Sequence, residues 1–345
     1  MALKTIFQRY KSSSVLKDER EMKRYYLLLK RHGVVLLTCV FLSTSLHAAE
    51  ETAPGIKGMS EEEFTPAKEV LIVRYVQIKK PSHMDVESLK DAFKNANGVK
   101  ITLQKQDKAF PYGGGSVKNA EVKAVHDGSV IYFQISWNDP TRNARTIAVQ
   151  EFRDAVALMF PLGEVEITPS EHFSPRMGDR EKPVNLWHWK ADWEVDLFAK
   201  DGLEDMEKRY PNMYDDFYSN PYNPHDYQEL MTSIEHLSGG IAAHNLLSES
   251  RRGRTVEDLN AEGFGTLTTQ DHQDVNGCSK YKDGIWTVIM YRPLTTSDHD
   301  DVQFVHGEKT YFNMAVWDGG KKDRNGQKNI SIQWHPVILD KVKYN

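Results

Sequence analysis

Residues 122–137, VKAVHDGSVIYFQISW, read as two β-strands joined by a tight turn. Asp127-Gly128 is a residue pair that two-residue hairpin turns favour, and the flanking runs are rich in β-branched and aromatic side chains. Period-two spacing puts Ile131, Phe133, Ile135 and Trp137 on one face. Further strand candidates lie at 70–77, 155–160, 184–193, 286–292, 310–317 and 329–339. Many short strands punctuated by Gly, Pro and Asp, with few helical periods, predict a mainly β fold. The expected architecture is an antiparallel β-sandwich rather than alternating βαβ units.

The middle of the chain breaks the pattern. Residues 199–262 contain a polar, Tyr/Asn/Pro-rich loop over 210–227 and a helical piece over 227–237. A second short helix is expected over 255–262, with Thr255 as its cap and Asp258 at the capping-box position. The whole segment reads as one long helix/loop insertion in a domain spanning 70–345.

The first 49 residues have the build of a secretory signal peptide. Lys23, Arg24, Lys30 and Arg31 precede an apolar run over 34–46 that ends in His47-Ala48-Ala49. That run is shorter than the ~20 residues a membrane-spanning helix needs, so no membrane span is expected. A start at Met22 would give a signal of ordinary proportions, and no Arg-Arg pair marks the twin-arginine route. The chain is therefore expected to be exported, to the periplasm or an equivalent compartment. Residues 50–69 are acidic, interrupted by Pro and Gly, and read as a flexible arm.

Residues 1–49 carry 9 basic and 3 acidic side chains, so without them the net charge of −5 becomes −11. Nucleic acid and anionic lipid would be repelled by such a surface. Cys39 falls in the signal, which leaves Cys278 alone and excludes an internal disulfide.

Met177 sits in a Pro/Gly-punctuated turn, FSPRMGD over 173–179, just ahead of the Trp-rich strand NLWHW over 185–189. Thioether sulfur is a soft metal ligand. The chain has 11 methionines, however, and a methionine usually fills a gap in a core. Cys-x-x-Cys-His is absent, so a haem here would not be covalently attached and would be b-type.

Seven segments carry a resemblance: EFRDAVALMFP (151–161), MGD (177–179), PVNLWHWKAD (183–192), GFGTLT (263–268), GIWTV (284–288), RPL (292–294) and AVWDG (315–319). In this order they resemble the haem-binding gamma subunits of ethylbenzene dehydrogenase and its relatives, over roughly residues 70–339. That family contains small subunits of periplasmic molybdenum enzymes acting on ethylbenzene, dimethyl sulfide, selenate, chlorate and nitrite. Within it, the segments look most like nitrite oxidoreductase gamma subunits.

The resemblance implies a β-sandwich with one haem b held by an axial methionine and an axial lysine. Met177 matches the family methionine. Lys328, in QKNIS over 327–331, best matches the lysine opening the last long strand, while Lys309, Lys321, Lys322 and Lys190 lie in nearby matched segments. It further implies a non-catalytic electron-transfer subunit beside a molybdenum catalytic alpha subunit and an iron-sulfur beta subunit. An external carrier such as a soluble cytochrome c would complete the route.

The rival reading is a non-haem carbohydrate-binding or adhesion sandwich. Trp187 and Trp189 share one strand face, which suits either a sugar-stacking platform or core packing, and core packing is expected. His188 then points the other way and reads as structural. Gly113-Gly114-Gly115-Ser116 lacks the Lys-Ser/Thr ending of a phosphate loop and reads as a flexible turn. Asp298, Asp300 and Asp301 lack the glycine and terminal Glu of a calcium loop and read as solvated. Arg176 and Arg180, beside Met177, are available to haem propionates or to solvent-exposed ion pairs, and neither is assigned to the site.

Overall fold

A computed structural model describes residues 60–79, 83–198, 209–210, 239–243, 245–248 and 253–340. The expected signal peptide, the arm over 50–59 and the helical piece over 227–237 lie outside the described residues. Fourteen strands are described: β1 (Leu71–Tyr75), β2 (Gly98–Thr102), β3 (Gln104–Lys105), β4 (Asn119–His126), β5 (Val130–Asn138), β6 (Ala155–Pro161), β7 (Val184–Lys190), β8 (Val256–Ala261), β9 (Thr268–Thr269), β10 (Asn276–Lys282), β11 (Ile285–Pro293), β12 (Lys309–Trp317), β13 (Asn329–Ile330) and β14 (His335–Leu339).

The hairpin of β4 and β5 forms as its sequence predicts, with Ala120 opposite Trp137 and His126 opposite Ile131. Gly128 takes φ 91°, and Asp127 Oδ1 accepts the backbone N–H groups of Ser129 and Val130 at 2.9 and 2.8 Å. One layer runs β10-β11-β5-β4, with β2 on the outer edge of β4. The other runs β14-β12-β6-β7-β8-β9, with β13 against β12 and β3 against β13. The fold is a mainly β sandwich.

β1 joins the layers. Its Leu71–Val73 half pairs with β14 and its Arg74-Tyr75 end pairs with β4, both in parallel, whereas the other described pairings are antiparallel. The core lies between the layers, where Phe133 of β5 meets Phe160 of β6 at 5.5 Å and Trp187 of β7 at 5.8 Å between ring centroids. Trp137 meets Trp189 at 6.4 Å. Ile131, Phe133, Ile135 and Trp137 are all buried, at roughly 1.5–3 kcal/mol for each large side chain removed from water.

Three sequence expectations change. Residues 255–262 are not a helix: β8 occupies Val256–Ala261 and pairs with β7 from Val184 opposite Ala261 to Trp189 opposite Val256. The sheet therefore resumes inside the span assigned to the insertion. The strand expected over 184–193 stops at Lys190 and continues as the helix Ala191–Phe198. The strand expected over 329–339 is two, β13 and β14, separated by a turn.

The end of the acidic arm is docked. Glu61–Phe64 form a 3₁₀ turn, Ala67 donates its N–H to the Trp334 carbonyl at 2.8 Å, and Glu63 is buried.

Candidate functional site

Met177 lies in the loop between β6 and β7, at a position the backbone makes unusual. Its φ of 72° is in the left-handed region, which costs a non-glycine residue roughly 1–2 kcal/mol. Gly178 follows at φ 72°, and a Cβ there would stand 2.7 Å from the Lys182 carbonyl oxygen. Three contacts hold the loop. Asp179 and Lys182 exchange backbone hydrogen bonds, Asp179 Oδ2 accepts the Ser174 N–H at 2.9 Å, and the Met177 carbonyl accepts the Gly263 N–H at 2.7 Å. His172 and Glu181 in the same loop are left-handed too, at φ 47° and 64°, so the strain is spread over the loop.

Lys328 immediately precedes β13 and is positioned from behind by the glycine run. Gly114, at φ +88°, packs so closely that a Cβ would lie 2.0 Å from the Lys328 carbonyl oxygen. Asn329 Oδ1 accepts the N–H groups of Gly115 and Val117, at 2.5 and 3.1 Å. Gly113-Gly114-Gly115 is thus a backing plate for the Lys328 segment rather than a free turn.

Met177 and Lys328 meet. Lys328 Nζ donates to Met177 Sδ at 3.5 Å and stands 5.0 Å from the ring centroid of Trp317. Burial, helped by repulsion from Arg176, pushes the Lys328 amine down to about 8. Its neutral form, which has a free lone pair, is therefore accessible near neutral pH.

Arg176, beside Met177, is buried instead of exposed. Its Nη2 pairs with Glu63 Oε1 of the docked arm at 2.6 Å, while Nε and Nη1 have no hydrogen-bond partner among the described residues.

The outer face of the second layer carries a cavity of about 470 Å³. The strand register runs beneath it: Ala315 is opposite Ala157, which is opposite His188, and Trp317 is opposite Ala155, which is opposite Lys190, with Ala155 in the lining. Trp317, which borders Lys328, and Leu259, which packs in the same cluster as Met177, both line this cavity. His188 also lines it, its ring stacked on Trp317 at 4.7 Å. Burial, with repulsion from Lys190, pushes the imidazole well below its ordinary range, so it is uncharged at neutral pH. Sequence reading assigned His188 a structural role; its alternation with the core residues Trp187 and Trp189 was the available signal that it faces elsewhere.

The other candidate lysines are engaged elsewhere. Lys190 is ion-paired with Glu257 inside the cavity wall and lies 3.9 Å from the Trp193 ring centroid. Lys309 pairs with Glu166 at 2.7 Å, and Lys322 donates to Gln150 at 3.1 Å. Lys321 lies exposed in the 3₁₀ turn Gly319–Lys321. None of these four touches Met177 among the described contacts.

A profile of the family described as Ethylbenzene dehydrogenase matches residues 90–329, more than half of the chain. The chain belongs to the ethylbenzene dehydrogenase family. Similar relatives include a protein described as a respiratory nitrate reductase heme subunit from Haloferax mediterranei, 21% identical over 78% of this chain and 73% of that protein. The chlorate reductase subunit gamma of Ideonella dechloratans is 24% identical over 70% of this chain and 74% of its own length. The dimethylsulfide dehydrogenase subunit gamma of Rhodovulum sulfidophilum is 26% identical over 62% of this chain and 57% of its own length. Among solved structures, a carbohydrate binding module of family 9 from Caldicellulosiruptor kristjanssonii, in complex with glucose, matches at a TM-score of 0.37 and 10% identity, over 80% of this chain and 98% of the module. No described helix is long and apolar enough to cross a membrane.

Proposed function

We propose that this chain is the haem b electron-transfer subunit of an exported, periplasmic-type molybdenum oxidoreductase complex, with Met177 and Lys328 as its axial ligands. The observation that carries the reading is the 3.5 Å approach of Met177 Sδ to Lys328 Nζ, from residues 151 positions apart in sequence. The donor set fits the group: a soft thioether faces an amine that can shed its proton near neutrality. Bound haem would supply a one-electron couple whose potential a thioether ligand raises.

The remaining residues serve that site. The left-handed turn holds Met177 in place, and the glycine run fixes the backbone of Lys328. Trp317 and uncharged His188 make an apolar wall. Arg153 and Arg324, which line the cavity, suit the anionic edge of such a group. With two side chains committed as ligands, the chain relays electrons rather than performing chemistry on a substrate.

Relatives named as gamma subunits of chlorate reductase and dimethylsulfide dehydrogenase support a subunit role. The partners we assign are a molybdenum catalytic alpha subunit and an iron-sulfur beta subunit, with a soluble cytochrome c as external carrier. The resemblance to nitrite oxidoreductase gamma subunits makes nitrite the first substrate to test on the complex. The sugar-binding alternative loses its best feature, because Trp187 and Trp189 are fully buried and cannot form a stacking platform.

Titration of the purified chain with haem tests the proposal. One equivalent should bind, and the reduced protein should show a sharp low-spin α-band. A protein that takes up no haem but binds oligosaccharides would overturn it.

A further inference from the structure

Behind the cavity, Asp139, Asp154 and Asp318 come together from the end of β5, the start of β6 and the end of β12. They are 1%, 0% and 3% exposed, and one oxygen from each lies within 4.8 Å of the others. Among the described residues, no lysine or arginine forms an ion pair with any of them. Buried carboxylates without a counter-charge are costly, and a proton or a cation must offset them.

Most of their oxygens are satisfied. Asp154 Oδ1 accepts the Gly319 N–H at 2.9 Å, and Asp154 Oδ2 accepts the Asn143 N–H at 2.7 Å and the Trp286 indole N–H at 3.0 Å. Asp139 Oδ1 accepts the Thr141 N–H at 3.0 Å, the Thr141 hydroxyl donates to Asn143 Oδ1 at 2.7 Å, and Asp318 Oδ1 accepts the Lys321 N–H. Asp139 Oδ2 is different: it is buried and makes no hydrogen bond of good geometry, although the Trp137 indole interacts with the Asp139 carboxylate.

Neutral oxygens converge on the same place. A Cβ at Gly320 would lie 2.5 Å from Thr141 Oγ1, 3.1 Å from Asn143 Oδ1 and 3.2 Å from Asp318 Oδ1. Asp139, Thr141 and Asn143 fall at alternate positions, a spacing that calcium loops use to direct successive side chains at one ion.

We propose that Asp139, Asp154 and Asp318, with Thr141 and Asn143 beside them, form a structural calcium site that ties the 139–154 connection to the end of β12. The donors are all hard oxygens with no histidine or thiolate, which selects against zinc and copper. Calcium takes six to eight oxygen ligands in flexible geometry, whereas magnesium demands a near-ideal octahedron and keeps several waters, so a buried set of protein oxygens suits calcium. The site does not depend on the haem reading. It lies one residue from Trp317 and from Ala155, both of which line the cavity.

The test uses the full chain stripped with EGTA. Calorimetric titration with calcium should give one site per chain, with a rise in Tm of at least about 4 °C at saturation. Terbium should bind competitively and luminesce on tryptophan excitation, because Trp286 touches Asp154. Asp139→Asn should weaken calcium at least tenfold, and Asp318→Asn serves if that variant does not fold. A wild-type protein with no calcium heat, no Tm shift and no terbium emission would overturn the proposal. So would magnesium binding as tightly as calcium, or calcium affinity unchanged in the folded variants.

Discussion

Gly114 sets where Lys328 stands. Its φ of +88° suits glycine alone, and an added Cβ would press on backbone, which cannot rotate away as a side chain can. Gly114→Ala should therefore destabilise the fold by at least about 2 kcal/mol in urea titration. It should also weaken haem uptake, because the Lys328 segment must move. A variant with wild-type stability and wild-type haem affinity would show that the segment is not held from this side. The glycines were visible in the sequence, but their partner was not, since Lys328 lies more than 200 residues further on. The same holds for Met177 and Lys328: resemblance singled them out, and no spacing rule says that they touch. Asp139, Asp154 and Asp318 went unread for a similar reason, as each sits alone in sequence and only the sandwich joins them.

Elements whose two faces differ were legible. β4, β5 and β11 alternate between a buried inner face and a mixed outer one, so period-two reading found them within one to three residues. β8 failed because both of its faces are covered: Val256, Glu257, Asp258 and Leu259 are all buried, and the three-residue spacing of Val256 and Leu259 imitates a helix. β10, NGCSKYK, is polar because it is an edge strand of its layer, and it carries almost no apolar pattern. The arm was read as flexible from its acidity, yet Glu63 is drawn in by Arg176, with Lys108 at 3.6 Å. Removing one partner of a buried pair leaves the other charge unmatched. Glu63→Ala should accordingly cost about 3–5 kcal/mol, measured by urea denaturation, and should disturb the neighbouring Met177 loop. A loss below about 1 kcal/mol would mean that the arm rests on the surface without holding it.

At the scale of the whole molecule, one layer supplies the core and the other supplies both a core face and a site face. β7 displays this division residue by residue: Trp187 and Trp189 build the interior, while His188 and Lys190 face the cavity. The proposed calcium site fastens this layer to the other one, at the ends of β12 and β5. Function is then written on the outward side of a sandwich whose inward side only has to pack. The central claim is that the sulfur of Met177 and the amine of Lys328 serve one haem iron. Electron paramagnetic resonance of the haem-loaded chain tests it most directly, comparing Met177→Ala and Lys328→Ala with the exposed Lys321→Ala as control. A low-spin ferric signal in the wild type and the control, lost or converted to high spin in each of the two ligand variants, is the predicted result. An unchanged low-spin signal in either ligand variant would contradict the account.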